Sequence, residues 1–317
     1  MKLVVLDGFT VNPGDLSWEP LRSLADCTIY DRTAESEILE RAHGAEILFT
    51  NKAPLRADTL ASLPSLRYIG VLATGYDVVD VESATQRNIL VTNVPEYGTY
   101  SVAQMVFALL LELTSKVGIH NEAVRQGAWS KSLDWCFWKA PTVELMGKVM
   151  GIVGYGRIGK TVGQIALALG MQVIVTSGHR PEVLPPGVRW EPLDELLAQA
   201  DVVSLHCPLR PSTRGMINAE RISRMKPSAF LVNTARGALI VEEDLANALG
   251  SGKLAGAAVD VLTAEPPSST NPLVAAPNCI ITPHIAWATK EARTRLLGTA
   301  AANLRAWLNG SRQNAVN

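Results

Sequence analysis

A glycine-rich segment in the middle of the chain has the residue types and spacing of a phosphate-binding loop. Gly154, Gly156 and Gly159 fit the pattern G-x-G-x-x-G, and they lie between the apolar run Val149–Val153 and a segment of helical periodicity. In such loops the first glycine permits a tight turn, the second lets a pyrophosphate approach, and the third lets the helix pack on the sheet. The unpaired N–H groups of the helix N-terminus attract phosphate. This context predicts dinucleotide binding rather than an ordinary glycine-rich turn.

The elements around this loop alternate between strands and helices along almost the whole chain. Apolar, β-branched runs joined by helical segments predict parallel sheets covered on both faces. We therefore expect an α/β fold with two doubly wound, Rossmann-like domains separated by a cleft. The first series of predicted strands is Leu3–Leu6, Ile47–Thr50, Tyr68–Leu72 and Ile89–Val94. The second series is Val149–Val153, Val173–Thr176, Val202–Leu205, Phe230–Val232, Ala257–Val259 and Ile280–Thr282.

Two helical segments indicate where the domains begin and end. Apolar residues recur on one helical face over Thr99–Lys116, which we expect to lead from the first domain into the second. A similar face recurs over Lys290–Leu308, and the second series has no strand left for that helix to cover. We expect the last helix to return to the first domain. The predicted substrate domain is then residues 1–100 plus 286–317, and the dinucleotide-binding domain is 101–285.

The composition argues against several classes of protein. The 317 residues include 29 Lys and Arg and 30 Asp and Glu, a net charge of -1 that provides no basic excess for nucleic acid or anionic membranes. The four cysteines lie far apart without zinc-site spacing, so neither a disulfide framework nor a metal site is expected. The N-terminal apolar run is too short for a signal peptide, and no other run is long enough to span a bilayer. These features predict a cytoplasmic protein.

Several ordered motifs in the second half of the chain belong to a known pattern. They are Asn233–Gly237 (NTARG), Ala258–Val261 (AVDV), Glu265-Pro266 and Thr282–Ala286 (TPHIA), preceded by Ala73–Asp77 (ATGYD). In these motifs and their spacing the sequence resembles the D-2-hydroxyacid dehydrogenase family over nearly its whole length. The resemblance implies a nicotinamide-dependent oxidoreductase that reversibly reduces a small 2-keto acid to the D-2-hydroxy acid.

The resemblance also implies a catalytic set of Arg236, Glu265 and His284 in the cleft between the domains. The chemistry of each residue type agrees, because a guanidinium can bind carboxylate and carbonyl oxygens with two coplanar donors. His284 can donate a proton during reduction and accept one during oxidation. Glu265, if it contacts His284, would orient the ring and favour the imidazolium. Alone, each residue is more simply a solvated loop or capping residue, and their joint occurrence in family order outweighs that interpretation.

The remaining site residues are carried over from the family at matching positions. The expected substrate contacts are Lys52, Ala73, Thr74, Gly75 and Arg236, although Lys52 is nearly as well explained as an ordinary exposed lysine. The main-chain N–H groups of Thr74 and Gly75 suit a carboxylate oxygen. Asp260 could accept a hydrogen bond from the nicotinamide carboxamide or lie near its ring. The expected cofactor contacts are Gly154, Gly156, Arg157, Ile158, Gly159, Ser177, His179, Arg180, Cys207, Pro208, Thr213, Thr234, Ala235, Arg236 and Asp260.

One position departs from the pattern that is typical of NAD-binding proteins. That pattern has an acidic residue at the end of the second strand, where it binds the adenine-ribose 2′-OH, and this chain has Ser177 there. Arg180 could pair with a 2′-phosphate, with His179 as a helper, and Pro181–Pro192 is predicted to be a loop. We therefore expect NADP(H) to be preferred, with NAD(H) possible. Arg180 as a solvated loop residue is the alternative.

A tryptophan-rich segment indicates a partner surface. Trp129, Trp135 and Trp138 lie within a short connecting stretch, and aromatic residues of this kind anchor interfaces. The segment resembles the dimerisation arm of the family, near 119–146. Its sequence is similar to that of the glycerate dehydrogenase (hydroxypyruvate reductase) branch. A homodimer is expected, and a small local core beneath a loop is the alternative.

Other functions fit the same motifs. Dinucleotide-sensing corepressors share this fold and can retain the Arg/Glu/His set, although this chain has no long polar tail. Phosphoglycerate-, phosphonate- and formate-type dehydrogenases use the same scaffold. Hydroxypyruvate or glyoxylate is the first expectation for the substrate.

Overall fold

Two parallel β-sheets organise the chain, as the pattern of apolar runs predicts. The structure is a computed structural model that describes residues 1–317. The chain divides into two compact units, residues 1–98 with 287–317 and residues 99–286.

The first unit is built on five short parallel strands. They are β1 (Lys2–Val5), β2 (Asp26–Ile29), β3 (Ile47–Thr50), β4 (Tyr68–Val71) and β5 (Leu90–Thr92). Their order in the sheet is β2-β1-β3-β4-β5. The connecting helices are α1 (Glu19–Arg22), α2 (Ile38–Arg41), α3 (Ala57–Ala61) and α4 (Val81–Gln86), with a 3₁₀ turn at Glu35–Glu37.

The second unit contains a larger sheet with its own helices. Its helices are α5 (Thr99–Ser115), α6 (Val117–Arg125), α7 (Arg157–Ala168), α8 (Leu193–Gln199), α9 (Ala219–Arg224) and α10 (Glu242–Gly250), with a 3₁₀ turn at Gly237–Leu239. The strands are β6 (Val149–Val153), β7 (Gln172–Thr176), β8 (Val188–Trp190), β9 (Val202–Leu205), β10 (Phe230–Asn233), β11 (Gly256–Val259) and β12 (Cys279–Ile281). Their order is β12-β11-β10-β9-β6-β7-β8. The chain leaves β6 towards β7 on one side and later returns to β9 on the other, which makes the β6/β9 boundary a topological switch point.

Each sheet is covered on both faces, which explains why its central strands are continuously apolar. In β1, Leu3 and Val5 pack in one core, and Val4 packs in the core on the opposite face. In the second unit, α5 and α7 contribute to one core, and α8, α9 and α10 contribute to the other.

The last helix, α11 (Lys290–Leu308), belongs to the first unit. Its apolar side chains Leu296, Leu297 and Leu304 are buried in the core that contains Leu3 and Phe49. At its beginning, Arg293 forms two 2.7 Å hydrogen bonds with the two carboxylate oxygens of Asp15. The first sheet is thereby covered by a helix from the end of the chain.

Two edge strands were not predicted. β2 lies at the edge of the first sheet, and its side chains alternate between exposed and half-buried. β8 lies within Pro181–Pro192, so the expectation that this whole segment is a loop was wrong. Both strands lie at a sheet edge and contain polar residues, so they lack the continuous apolar run that marks a central strand.

The helices of the chain are short or polar relative to a membrane span. No single helix is long and apolar enough to cross a bilayer. Only α5 and α6 taken together across a 59° bend meet that criterion, by length and composition alone.

Candidate active site

The three glycines of the loop after β6 meet three different surroundings. Gly154 has φ +101°, and a Cβ there would lie 2.5 Å from the main-chain nitrogen of Cys207, which follows β9. A Cβ on Gly159 would overlap the carbonyl oxygen of Gly154. A Cβ on Gly156 would meet nothing within 4 Å. The first and third glycines therefore serve internal packing at the switch point, and the second faces open space where a ligand can approach.

The beginning of α7 offers unpaired hydrogen-bond donors beside that space. The N–H groups of Gly156, Ile158 and Gly159 have no acceptor in the protein, and the N–H of Lys160 donates to the Gly156 carbonyl at 2.9 Å. At the end of β10 the hydroxyl oxygen of Thr234 is buried without a hydrogen-bond partner. Buried polar atoms normally have partners. These residues fit a phosphate-containing dinucleotide that would supply the acceptors.

The loop after β7 carries the residues that would face the adenine ribose. Ser177 Oγ donates a 2.6 Å hydrogen bond to the carbonyl of His179. The guanidinium carbon of Arg180 lies 5.4 Å from the ring centroid of Trp190, within the range of a cation–π contact. Both His179 and Arg180 are exposed. The loop thus combines a short hydroxyl side chain with a cation supported by an aromatic ring.

The loop after β9 is fastened to the glycine-rich loop and to itself. The N–H of His206 donates to the Val153 carbonyl at 2.7 Å. Thr213 Oγ1 donates to the Pro208 carbonyl and accepts from the Arg210 N–H, both at 2.8 Å. Burial lowers the pKa of His206 to about 3, so this ring is neutral beside the Ser204 hydroxyl at 2.8 Å. Burial also raises the pKa of the Cys207 thiol. Thr213 therefore stabilises the loop, and Cys207 stays a thiol.

Glu265 and His284 are in direct contact. Glu265 Oε2 lies 2.6 Å from His284 Nδ1, and Glu265 Oε1 accepts the N–H of Leu262 at 3.0 Å. Because a carboxylate only accepts, Nδ1 carries the proton in this pair. The His284 side chain is 30% exposed and the Glu265 side chain is 35% exposed, so solvent or a ligand can reach both. The pair has the donor–acceptor arrangement of an oriented general acid–base histidine.

Asp260 holds the turn that carries His284. Its carboxylate is 1% exposed. It accepts the Thr282 hydroxyl at 2.6 Å and the N–H groups of Ile285 and Ala286 at 2.9 and 2.8 Å. The main chain of His284 has φ +56°, a left-handed conformation that is unfavourable for this residue type. Asp260 thus stabilises a strained turn, and its expected contact with the nicotinamide stays a prediction.

The loop after β10 is shaped by a buried amide. Asn233 is fully buried, its Oδ1 accepts the N–H of Ala235 at 3.0 Å, and its Nδ2 donates to the Arg236 carbonyl at 2.9 Å. The Arg236 side chain is exposed, and its one hydrogen bond within the protein goes to the Ala235 carbonyl at 2.8 Å. The main chain is therefore fixed, while most of the guanidinium donors face solvent.

In the first unit, Asp7 organises the loop after β3. Its carboxylate accepts the N–H groups of three consecutive residues, Asn51, Lys52 and Ala53. Burial raises the pKa of Asp7, and the three N–H donors oppose that rise. The Asn51 amide then donates to the Leu72 carbonyl at 2.6 Å, which connects this loop to the end of β4. The Lys52 side chain is exposed.

The loop after β4 presents main-chain donors. The Thr74 hydroxyl donates to the Val94 carbonyl at 2.9 Å, and the Asn93 amide donates to the Thr74 carbonyl at 2.7 Å. Ala73 accepts the N–H of Val94 at 3.0 Å. The N–H groups of Thr74 and Gly75 have no acceptor in the protein. Two adjacent donors on a fixed loop suit an anion.

The tryptophan-rich segment is largely exposed. Trp129, Leu133, Trp135 and Trp138 have exposed fractions of 53%, 102%, 87% and 72%. Trp129 Nε1 donates to the Trp135 carbonyl at 3.0 Å, and the N–H of Lys139 donates to His120 Nε2 at 3.1 Å. The segment has a fixed path, but most of its aromatic surface is not covered by this chain.

Comparison with known proteins gives matches over the whole chain. Residues 107–286 match the family described as D-isomer specific 2-hydroxyacid dehydrogenase, NAD binding domain. A hydroxypyruvate reductase of Blautia hydrogenotrophica is 50% identical over 321 residues, which covers 100% of both chains. A glycerate dehydrogenase of Methylorubrum extorquens is 43% identical and covers 88% of each chain.

A solved structure of the same fold contains a bound nicotinamide cofactor. It is an acyclic imino acid reductase (Bsp5) in complex with NADPH and D-Arg. It superimposes with a TM-score of 0.87 at 29% identity, covering 100% of both chains.

Proposed function

Because the chain belongs to the D-isomer specific 2-hydroxyacid dehydrogenase family, we propose that it reduces hydroxypyruvate to D-glycerate, and glyoxylate as a related substrate. Its relatives include a hydroxypyruvate reductase, a glycerate dehydrogenase and a glyoxylate reductase, which are dehydrogenases that reduce small 2-keto acids. The 2.6 Å contact between Glu265 and His284 carries the proposal, because it supplies an oriented proton donor. Identity of 50% to a hydroxypyruvate reductase supports the choice of substrate.

The residues divide the work of the reaction among binding, orientation and proton transfer. Arg236 binds the substrate carboxylate and polarises its carbonyl, and the N–H groups of Thr74 and Gly75 hold a carboxylate oxygen. The nicotinamide cofactor, when bound, supplies the hydride that reaches the carbonyl carbon. His284 gives the proton from Nε2 to the carbonyl oxygen, while Glu265 stabilises the positive charge on the ring. In the reverse direction His284 takes the proton from the hydroxyl.

The cofactor would be held along the carboxyl ends of the strands of the second unit. We assign the pyrophosphate to the N–H groups at the start of α7, and the remaining contacts to Thr234 and the loops after β7 and β9. We propose that NADP(H) is preferred over NAD(H). Ser177 presents no negative charge to a 2′-phosphate, and Arg180 on Trp190 supplies a cation near it.

A substrate and cofactor panel tests the proposal. The purified enzyme is given hydroxypyruvate, glyoxylate, pyruvate and phosphohydroxypyruvate with NADPH or NADH, and formate and phosphite with the oxidised cofactors. We expect hydroxypyruvate to have the highest kcat/KM and NADPH to exceed NADH. Turnover of formate, phosphite or the phosphorylated acid alone would favour the corresponding alternative, and no turnover at all would favour a dinucleotide-sensing protein.

Ser177→Asp tests the cofactor preference. A carboxylate at this position should bind the ribose hydroxyl and repel the 2′-phosphate, so the ratio of kcat/KM for NADPH to that for NADH should fall about tenfold or more. The matched control is Ser65→Asp, which adds the same charge at an exposed turn of the first unit. An unmoved ratio in Ser177→Asp would contradict the assignment.

We also propose that the protein is a cytoplasmic homodimer formed through the tryptophan-rich segment, with one tryptophan extending towards the partner's active site. The exposure of Leu133, Trp135 and Trp138 supports an interface, because such a concentration of large apolar side chains is rare on monomers. Light scattering should give the dimer mass for the wild type and for the control Val183→Ser, an exposed apolar residue elsewhere. The double variant Trp135→Ser/Trp138→Ser should give monomer or aggregate, and an intact dimer would exclude this interface.

A further inference from the structure

We infer that Glu242 is a positioning residue for the Glu265–His284 pair, an inference that rests on the function proposed above for that pair. Glu242 is the first residue of α10, and this helix follows the loop that contains Arg236. Its Oε1 accepts the N–H of Thr263 at 2.6 Å, and its Oε2 accepts from Asn271 Nδ2 at 2.7 Å. One carboxylate therefore binds both ends of the segment that contains Glu265.

Apolar packing does not hold the segment between Thr263 and Thr270, because all of its residues are exposed. Leu262 and Leu273, which flank the segment, are buried at 7% and 1% exposure. Between these two anchors Glu242 supplies the charged hydrogen bonds that fix the path of the chain, and such bonds are stronger than neutral ones.

A second contact connects the same segment to the loop of Arg236. A Cβ on Gly237 would overlap the main chain of Leu262 and Thr263, so these two loops touch without intervening side chains. Gly237 follows Arg236 directly, and Glu242 closes the far end of that loop. The loops after β10 and β11 therefore form one block, in which Arg236 and Glu265 are held relative to each other.

The position of Glu265 matters for the chemistry because its second oxygen contacts the proton donor. Leu262, next to Thr263, donates its N–H to Glu265 Oε1, and Glu265 Oε2 contacts His284. A shift of the Thr263 main chain therefore changes the hydrogen bond that orients the imidazole. Misplacement of a catalytic group by about 1 Å can cost on the order of 100-fold in rate.

The simpler interpretation is that Glu242 is one of three acidic residues that favour the N-terminus of α10. Glu243 provides the matched control, because it lies on the same first turn, has the same charge and is exposed. If only the helix dipole matters, Glu242→Gln and Glu243→Gln should behave alike.

The experiment compares Glu242→Gln, Glu243→Gln, Asn271→Asp and the double variant Glu242→Gln/Asn271→Asp with hydroxypyruvate as substrate. We expect Glu242→Gln to lower kcat about tenfold, with KM changed by less than about twofold, and to move the basic limb of the pH profile to lower pH. Asn271→Asp places two carboxylates together and should be at least as damaging. The double variant exchanges donor and acceptor, so it should recover most of the lost kcat.

A spectroscopic measurement makes the inference independent of turnover. In the wild type, the His284 Nδ1–H that binds Glu265 should give a protected, downfield proton resonance, assigned by its loss in His284→Gln. That resonance should disappear or broaden in Glu242→Gln, persist in Glu243→Gln and return in the double variant.

The outcomes separate the two proposals. If Glu242→Gln retains the wild-type resonance, kcat and pH profile, Glu242 is not a positioning residue, whatever the substrate. If the resonance responds as expected but the wild type reduces no 2-keto acid, the proposed function fails and the positioning role stands.

Discussion

The two units share a parallel-sheet architecture but end their strands with different chemistry. In the first unit, buried or half-buried polar side chains such as Asp7 and Asn51 fasten the loops, and the Thr74–Gly75 loop offers main-chain N–H groups. In the second unit, the loops present the exposed Arg236 and the Glu265–His284 pair. The first unit therefore offers donors that do not titrate, and the second offers a permanent cation together with the pair that gains and loses protons.

The difference shows how one architecture can serve two tasks, the binding of a carboxylate and the transfer of a proton. Fixed main-chain donors can hold a carboxylate in the same way in ground state and transition state, and such uniform binding affects KM. A proton donor acts only as the bond to hydrogen forms, so it affects kcat. Loss of a main-chain donor in the Thr74–Gly75 loop should therefore change KM, and loss of the proton donor His284 should change kcat.

The largest effect is expected at His284. His284→Ala should lower kcat by about 10²–10⁴-fold while the dissociation constant of the cofactor changes little, because the proton donor is lost. Stopped-flow rates and fluorescence titration of the reduced cofactor measure the two quantities. His43→Ala, at an exposed position in the first unit, is the control. A variant that keeps most of its kcat would show that another group delivers the proton.

A somewhat smaller effect is expected at Arg236. Arg236→Lys keeps the charge but cannot offer two coplanar donors, so kcat/KM for hydroxypyruvate should fall on the order of 100-fold. The exposed Arg312→Lys is the control. Steady-state kinetics at saturating cofactor make the measurement. Unchanged kcat and KM would remove Arg236 from the substrate site.

The role of the first unit is tested by removing one main-chain donor. Thr74→Pro deletes an N–H, whereas Thr74→Ala deletes only the hydroxyl that binds Val94, so the difference between them reports the N–H. We expect Thr74→Pro to raise KM about tenfold relative to Thr74→Ala, with a smaller change in kcat. If kcat falls and KM stays constant, the division of tasks between the units is wrong.

The smallest effect concerns acid stability in the second unit. The folded-state pKa of His206 is about 3, below its ordinary value of 6.5, so the unfolded chain binds more protons between these values. The contribution of the neutral His206 ring to the free energy of unfolding is therefore fully present above pH 6.5 and is lost as the pH drops towards 3. His206→Gln should reduce the loss between pH 7 and pH 5 by roughly 1–2 kcal/mol.

Urea unfolding at pH 7 and pH 5 measures this difference in the wild type, His206→Gln and the exposed control His43→Gln. The control should lose as much free energy of unfolding on acidification as the wild type does. Equal acid sensitivity in all three proteins would mean that the His206 ring does not stay neutral on folding.

Much of the fold follows from local sequence, and much of the site does not. Buried central strands such as Ile47–Thr50 and Val202–Leu205 were predicted at their full extent, because burial on both faces leaves a continuous apolar run. Gly154 and Gly159 were predictable because close main-chain contacts exclude a side chain. The edge strands β2 and β8 were missed because polar side chains such as Asp26 and Arg189 interrupt them, whereas the edge strands β5 and β12 are largely apolar and were predicted.

The supporting residues escaped prediction for a different reason. Asp7 contacts Asn51, and Glu242 contacts Asn271, across long stretches of sequence and through hydrogen bonds rather than packing. Such bonds leave no periodicity in the sequence. The catalytic roles of Arg236, Glu265 and His284 came from the family motifs, and they remain predictions.

The open space at Gly156 and the unpaired N–H groups at the start of α7 also affect how long the protein survives. A dinucleotide that binds there stabilises the folded chain and not the unfolded one, by about 2.7 kcal/mol at a ligand concentration of 100 Kd. Proteolytic degradation in cells acts largely on opened chains, so this stabilisation lowers the fraction available to proteases. We therefore expect the abundance of the enzyme to follow the supply of its cofactor, so that depletion of the cofactor shortens the lifetime of the protein as well as slowing its reaction.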